Sequence, residues 1–538
     1  MTRAARVVRL LAIVVVLAAG QATVTVAAPG GAEGAPAAPA SAISAISAIS
    51  ALAPGDTRAE QPRTRVRGTF FGVNGARIIS PRNAAQWHTR RFASQLRRLA
   101  PGIIRVQGGH TSQWIDWRTG RFVQGPDSPF AGQNAGRKPL TMRDWAALVH
   151  RTRAVPLFDL NVVSSSLGEQ LAMLRTARRL GMPVRYVELG NELYTADDRY
   201  LELYPTGADY ARTMNRWIRR IKHAFPGVEI AVCGADDSST FTSLYFGQRY
   251  QQWNEQLYAR IRGADAVTFH PYWIAPPEQT ADQAASNGAL AWREFADQTL
   301  AGVPGRLRVW LTEFNQIDIP FSELPGSPPQ VLGHAEQTWT TGLSLAAFCL
   351  LATSDPRVET ALVHSALNGA PDPKSSQAGG NMEIQALLAD GTDGSSRLGR
   401  TAENIALTPI FHQVRGTAPS PRGSLRVRRV SEGLPIPAAL SSPSAAGLVD
   451  SLLGVRLGGG HVLLVNLASS AQRWTAPGGV ARLRGVVLTA EPQARPAFDE
   501  TSTVQRTRLD SVSGSLDLPA YSVTRVEVRS PTAKRRQR

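Results

Sequence analysis

The sequence predicts a (β/α)8 barrel followed by a C-terminal antiparallel β-sandwich domain. Eight short runs rich in β-branched and aromatic residues alternate with longer amphipathic runs between residues 66 and 417, which is the pattern of repeated βα units. From residue 418 to 530 the texture changes to short alternating segments such as SLRVRRV, HVLLVNLA and SVTRVEVRS, broken by Gly, Pro, Ser and Asn. The 538 residues also exceed what one hydrophobic core usually supports, so a large domain with a smaller one is expected.

The barrel strands are expected at 69–74 (TFFGVN), 102–108 (GIIRVQG), 155–162 (VPLFDLNV) and 184–192 (VRYVELGNE). Four more follow at 228–234 (VEIAVCG), 265–272 (DAVTFHPY), 307–314 (LRVWLTEF) and 359–367 (ETALVHSAL). Helices separate them, most clearly in HTRRFASQLRRLA, TMRDWAALVHRTR, GEQLAMLRTARRLG, GADYARTMNRWIRRIKHAF and AEQTWTTGLSLAAFCLLAT. A doubly wound open sheet is the rival fold, but no Gly-rich dinucleotide loop follows the first strand. A closed barrel places its active site at the C-terminal strand ends.

Residues 1–28 read as a secretory signal peptide: Arg3, Arg6 and Arg9, an apolar run from Leu10 to Ala19, then small residues at Val26, Ala27 and Ala28. The run is too short for an ordinary transmembrane span, and no later stretch reaches the roughly 20 apolar residues that a span requires. Export to a secreted or extracytoplasmic location is therefore expected. Residues 29–65 are an Ala/Pro/Ser-rich disordered linker, with the repeat SAISAISAIS and too few large apolar groups to build a core. Residues 531–538 form a basic tail. Cys233 and Cys349 each lie in an apolar segment and read as buried small hydrophobes more than as a disulfide.

The net charge of +17 raises the question of a nucleic-acid partner, but all except four of the 59 basic residues are arginine. They are spread along helices without interleaved aromatics, so no nucleic-acid binding is expected. An acidic polysaccharide is compatible with the charge. No HExxH, GxSxG or P-loop is present, and the nine histidines lack metal-ligand spacing, so no metal or organic cofactor is expected.

Two segments carry the chemistry. Glu192 ends the fourth strand in ELGNE and Glu313 ends the seventh in VWLTEFN, and each follows an apolar run that turns abruptly polar. Strand ends of one barrel face one cleft. Two carboxyl groups about 5–5.5 Å apart are what cleavage of a glycosidic bond with retention needs, one protonating the leaving oxygen and one attacking the anomeric carbon.

ELGNE with a later strand ending in TE resembles the clan A retaining glycoside hydrolases, built on (β/α)8 barrels. The resemblance implies that Glu192 is the acid/base and Glu313 the nucleophile, and that Asn191 binds the hydroxyl next to the anomeric carbon. Arg105 in IIRVQGG matches the arginine that holds the nucleophile ionised. His270 and Tyr272 in FHPYW match a histidine and a nucleophile-contacting tyrosine on strand six. Within the clan, IIRVQGGHTSQWIDW, ELGNE and the appended β domain look most like the heparanase and β-glucuronidase family. Departures are Leu193 where many relatives have proline, Arg-Val-Gln-Gly-Gly in place of Arg-Xaa-Gly-Gly, and no evident strand-eight aromatic in ALVHSALNG.

The expected partner is an oligo- or polysaccharide. The alternatives are an α-L-arabinofuranosidase or β-xylosidase of the same clan, or a secreted carbohydrate-binding protein that kept the barrel and lost turnover. Asp159, Asn161, His110, Asp116 and Trp117 are further candidates for substrate contact, Trp273 for rim stacking, and Glu188 reads as structural.

Overall fold

The computed structural model describes residues 64–75, 86–131, 138–195, 197–238, 247–276, 278–318, 338–367, 383–384, 387–390, 398–417, 424–440, 446–477, 482–496, 500–512 and 514–529. The expected signal peptide, nearly all of the linker and the basic tail lie outside these residues. Among the described residues no helix is long and apolar enough to cross a membrane.

Eight parallel strands close into a barrel: β1 (Phe71–Asn74), β2 (Ile103–Val106), β3 (Val155–Asp159), β4 (Tyr186–Leu189), β5 (Glu229–Cys233), β6 (Ala266–Phe269), β7 (Arg308–Leu311) and β8 (Val358–Val363). All eight fall inside the runs read from the sequence, apart from the first residue of β8. The two-residue period of a strand sorts their side chains. Ile103, Leu157, Tyr186, Ala231, Ala266, Trp310 and Leu362 form one apolar cluster, the floor of the barrel. Their neighbours Ile104, Phe158, Val187, Val232, Val267, Val309 and Val363 belong to the outer cluster packed under the helices.

Two residues further along most strands the same inward face turns polar. Arg105, Asp159, Glu188, Thr268, Thr312 and His364 are all buried there. An apolar floor beneath a polar layer is what confines the chemistry to one end of the barrel.

Helices follow each strand: α1 (Arg90–Leu99), α2 (Met142–Thr152), α3 (Leu167–Arg179), α4 (Gly207–Ala224), α5 (Gly247–Arg260), α6 (Ala281–Gln298), α7 (Trp339–Ser354) and α8 (Ala402–Thr417). Several start where the sequence supplies a cap. Thr141 and Asp144 form a reciprocal capping box on α2, Thr280 and Gln283 do so on α6, and Thr206 caps α4.

The C-terminal domain contains β9 (Ser424–Ala439), β10 (Ala446–Leu457), β11 (His461–Asn466), β12 (Gln472–Thr475), β13 (Arg482–Thr489), β14 (Gln505–Ser511), β15 (Ser515–Leu518) and β16 (Ser522–Arg529). Six of these and the strand Thr64–Arg67 form a seven-stranded sheet, and β12 pairs with β15 as a smaller second layer. On β11, Val462 and Leu464 join Trp474, Leu516 and Leu518 in the core between the layers. Leu463 and Val465 on the opposite face join the core shared with the barrel helices. That second buried face is why β11 reads as an unbroken apolar run.

Thr64–Arg67 revises one boundary. The sequence reading divided this stretch between linker and barrel, whereas it pairs antiparallel with β9 from Thr64↔Val427 to Arg67↔Ser424. Arg67 then reaches the barrel floor, 3.1 Å from Glu229 and 2.6 Å from Glu359. Cys233 and Cys349 are both buried free thiols.

Candidate active site

Arg105 lies at the centre of the polar layer with no solvent exposure. Its Nε donates to Glu188 Oε2 at 2.7 Å, Nη1 to Glu313 Oε1 at 2.5 Å and Nη2 to Asn191 Oδ1 at 2.9 Å, with Asp159 Oδ2 3.3 Å from Nη2. Only a planar guanidinium presents enough fixed donors for so many partners. Gly108 makes room for it: a Cβ there would lie 2.4 Å from Asn74 Oδ1 and 2.7 Å from Arg105 Cδ.

Glu313 stands two residues past the last ladder residue of β7. Its Oε2 accepts from Tyr272 Oη at 2.6 Å and lies 3.1 Å from His364 Nδ1. A small rim sheet makes the tyrosine contact possible, because Tyr272–Ile274 pairs in parallel with Asn315–Asp318 with Tyr272 opposite Asn315. Burial alone would raise the Glu313 pKa, but His270, His364 and Arg105 outweigh it and hold the carboxyl well below the usual carboxylate range. The sequence reading gave that task to Arg105; His270 and His364 share it. Burial and then the Glu313 charge push the Tyr272 phenol well above its usual value, so it remains a donor.

Glu192 sits in a different environment. The chain leaves β4 through Gly190 at φ 87° and Glu192 itself at φ 47°. A Cβ on Gly190 would meet Leu193 at 2.7 Å and Val162 at 2.8 Å. Leu193 is fully buried. The Glu192 side chain is 28% exposed, against 5% for Glu313.

His270 Nδ1 is 3.0 Å from Glu192 Oε1, and His270 Nε2 is 2.9 Å from Thr312 Oγ1, which in turn donates to Glu188 Oε1 at 3.0 Å. Because the Thr312 proton goes to Glu188, its oxygen accepts from His270, which places a proton on Nε2. Burial lowers the His270 pKa, but Glu313 and Glu192 more than compensate and the net shift is upward.

One ligand atom from each of Glu192, His270 and Glu313 lies within 4.8 Å of the others. That spread would suit a divalent cation, but the protein already engages these donors: Arg105, Tyr272 and His364 hold Glu313, and both His270 nitrogens are in use. The same distance brings the two carboxyl groups close enough to act on one bond.

All six principal candidates, Arg105, Asn191, Glu192, His270, Tyr272 and Glu313, converge at this end of the barrel. Asn191 is buried, and among the described residues its Nδ2 has no hydrogen-bond partner. Others take different places. Asp159 turns inward to Ser112 at 2.6 Å and Gln113 at 3.2 Å, with its carboxyl pushed well above the usual range, chiefly by burial. Asn161 binds Ile115 O and Ser164, so both side chains organise loops and are not free for substrate. Asp116, Trp117 and Asn161 line a separate cleft of about 940 Å³. Trp273 is buried, stacks on Phe348 and donates to Gln316, which removes it from the rim. His110 bonds Tyr200 Oη at 3.1 Å. Glu188 is structural in the sense expected, anchoring Arg105 and Thr312.

Sequence reasoning missed His364, Thr312 and Asn74. The signal for His364 was available, since it continues the inward parity of Leu362 on β8.

No family model matches the chain, and no curated protein does. Solved structures are similar in fold. An α-L-arabinofuranosidase from Thermotoga maritima, in complex with arabinose, superposes with TM-score 0.60 at 15% identity, over 88% of this chain and 98% of that one. A family GH51 α-L-arabinofuranosidase from Thermotoga petrophila gives 0.59 at 16%, over 87% and 98%. A family 51 α-L-arabinofuranosidase from Bifidobacterium longum gives 0.58 at 14%, again over 87% and 98%. The likeness runs through both the barrel and the β-sandwich.

Proposed function

We propose that the chain is a retaining glycoside hydrolase. The observation that carries this reading is a pair of carboxyl groups with atoms within 4.8 Å of each other in opposite settings. Glu313 is buried and held ionised, whereas Glu192 is partly exposed and lies 3.0 Å from His270 Nδ1. Two like groups in unlike environments is how one site supplies both a nucleophile and an acid.

In the first step a Glu313 oxygen bonds to the anomeric carbon as the bond to the leaving oxygen breaks, and Glu192 gives that oxygen its proton. In the second step water attacks the same carbon, Glu192 takes the water proton, and the Glu313 ester bond breaks to free the sugar. Tyr272 and His364 hold the Glu313 carboxylate in place, and Arg105 offsets its charge. The unpartnered Nδ2 of Asn191 suits a sugar hydroxyl.

Two sugars remain in view. The sequence resemblance favours a β-glucuronide, and the arabinofuranosidases that share the fold favour an α-L-arabinofuranoside. The fold neighbours put the arabinofuranoside first. A panel of aryl arabinofuranoside, xyloside, glucoside and glucuronide substrates decides the sugar. Glu313→Ala and Glu192→Ala should each lower turnover by about 10²-fold or more, with azide restoring Glu192→Ala as a glycosyl azide of retained configuration and Glu313→Ala, if at all, as one of inverted configuration. Parent-like hydrolysis by either variant would refute the assignment.

A further inference from the structure

Arg249, in the first turn of α5, donates to five backbone carbonyls. Its Nη2 reaches Leu193 O and Tyr204 O, each at 2.7 Å, Nη1 reaches Thr195 O at 2.9 Å and also Tyr194 O, and Nε reaches Pro205 O at 3.1 Å. Its guanidinium lies over the Trp253 ring at 4.9 Å. Among the described residues no carboxylate pairs with it. A partly buried cation without an acid is costly unless its donors are satisfied, and here main-chain carbonyls satisfy them.

The carbonyls belong to the two ends of a single loop. Leu193, Tyr194 and Thr195 directly follow Glu192, and Tyr204 and Pro205 close the excursion that contains the short helix Asp198–Leu203. Thr195 binds back to Glu192, its N–H donating to Glu192 O at 3.0 Å and its Oγ1 at 2.8 Å. The path is therefore continuous: the Glu192 carbonyl is tied to Thr195, and the Thr195 carbonyl to Arg249. Glu192 needs such support, because its φ of 47° lies in the left-handed region, which costs a side-chain-bearing residue about 1–2 kcal/mol. Its side chain is partly exposed. The same clamp holds Tyr200, whose hydroxyl meets His110.

We propose that Arg249 is a positioning residue for proton transfer by Glu192, acting through the backbone of the segment that follows it. This inference rests on the reading of Glu192 as the acid/base. The residue contacts neither substrate nor the reacting atoms, so its effect should depend on how much the reaction needs an acid. Breaking a bond to dinitrophenolate needs almost no protonation, whereas breaking one to phenolate does.

The test uses the full chain and kcat/KM for dinitrophenyl and phenyl glycosides of the sugar that the parent accepts. Arg249→Met should lower the phenyl value by about 10²-fold, the lower range of general acid catalysis, and the dinitrophenyl value by less than about 3-fold. Arg249→Lys, which keeps the charge but cannot span five carbonyls, should show the same pattern at smaller size and carries the test if Arg249→Met does not fold. Equal losses on both substrates would mean a general structural role and overturn the proposal, as would no loss on either. A parent inactive on the whole panel would refute the hydrolase reading itself, and that outcome is seen before any Arg249 variant is measured.

Discussion

Removing Arg105 would leave Glu188, Asp159 and Glu313 as buried acids without their shared cation. Breaking a buried ion pair from one side costs about 3–5 kcal/mol, so Arg105→Met should lose at least that much stability in urea unfolding. The pH dependence of the same site has a definite sign. Glu313 is depressed in the folded state, so its contribution is full above the unfolded value and disappears as pH falls through the folded one. The stability gap between the parent and Glu313→Gln should therefore hold steady down to about pH 4 and narrow only below it. Glu192 and Glu313 were legible because each ends an apolar run with an abrupt polar residue. His364 was legible only through strand parity, which a lone histidine in ALVHSAL needs before it can be told from any other. Arg249 was hidden by composition, as one arginine in a chain where nearly every basic residue is arginine.

Strands and helices were more legible than the connections that exploit them. All eight barrel strands lie essentially within their expected runs because each is β-branched and bounded by polar or turn residues. The edge strand Thr64–Arg67 was not readable, since four residues next to a low-complexity stretch carry too short an alternation, and its partner lies some 360 positions away. At the start of α8, Glu403 is buried and its carboxyl is pushed up to about 8 by burial. A carboxyl raised in the folded state retains its proton while the unfolded chain loses one, so stability falls as pH rises between the two values. The parent should lose stability from about pH 5 to pH 8, at up to roughly 1.4 kcal/mol per unit. Glu403→Gln should flatten that slope, as read by denaturant melts across the range.

At the scale of the molecule, barrel and sandwich share one core. Helix α7 is buried on all sides from Trp339 to Thr353, with Trp339 Nε1 donating to Tyr521 O at 2.7 Å. Asp282 at the start of α6 accepts from Ser469 N at 2.8 Å and from Tyr521 Oη at 2.5 Å. The two domains should therefore melt in a single calorimetric transition, and a chain ending at residue 417 should be insoluble because the apolar faces of α7 and α8 would be exposed. Two separated transitions, or a soluble barrel, would contradict this.

The proposed reaction turns on one covalent event at Glu313. The direct measurement is to incubate the protein with 2-deoxy-2-fluoro glycosides of the panel sugars and map the modified peptide by mass spectrometry. The account predicts a single glycosyl adduct on Glu313, formed as activity is lost. An adduct on another residue, or turnover of the panel sugar with no adduct, would contradict it.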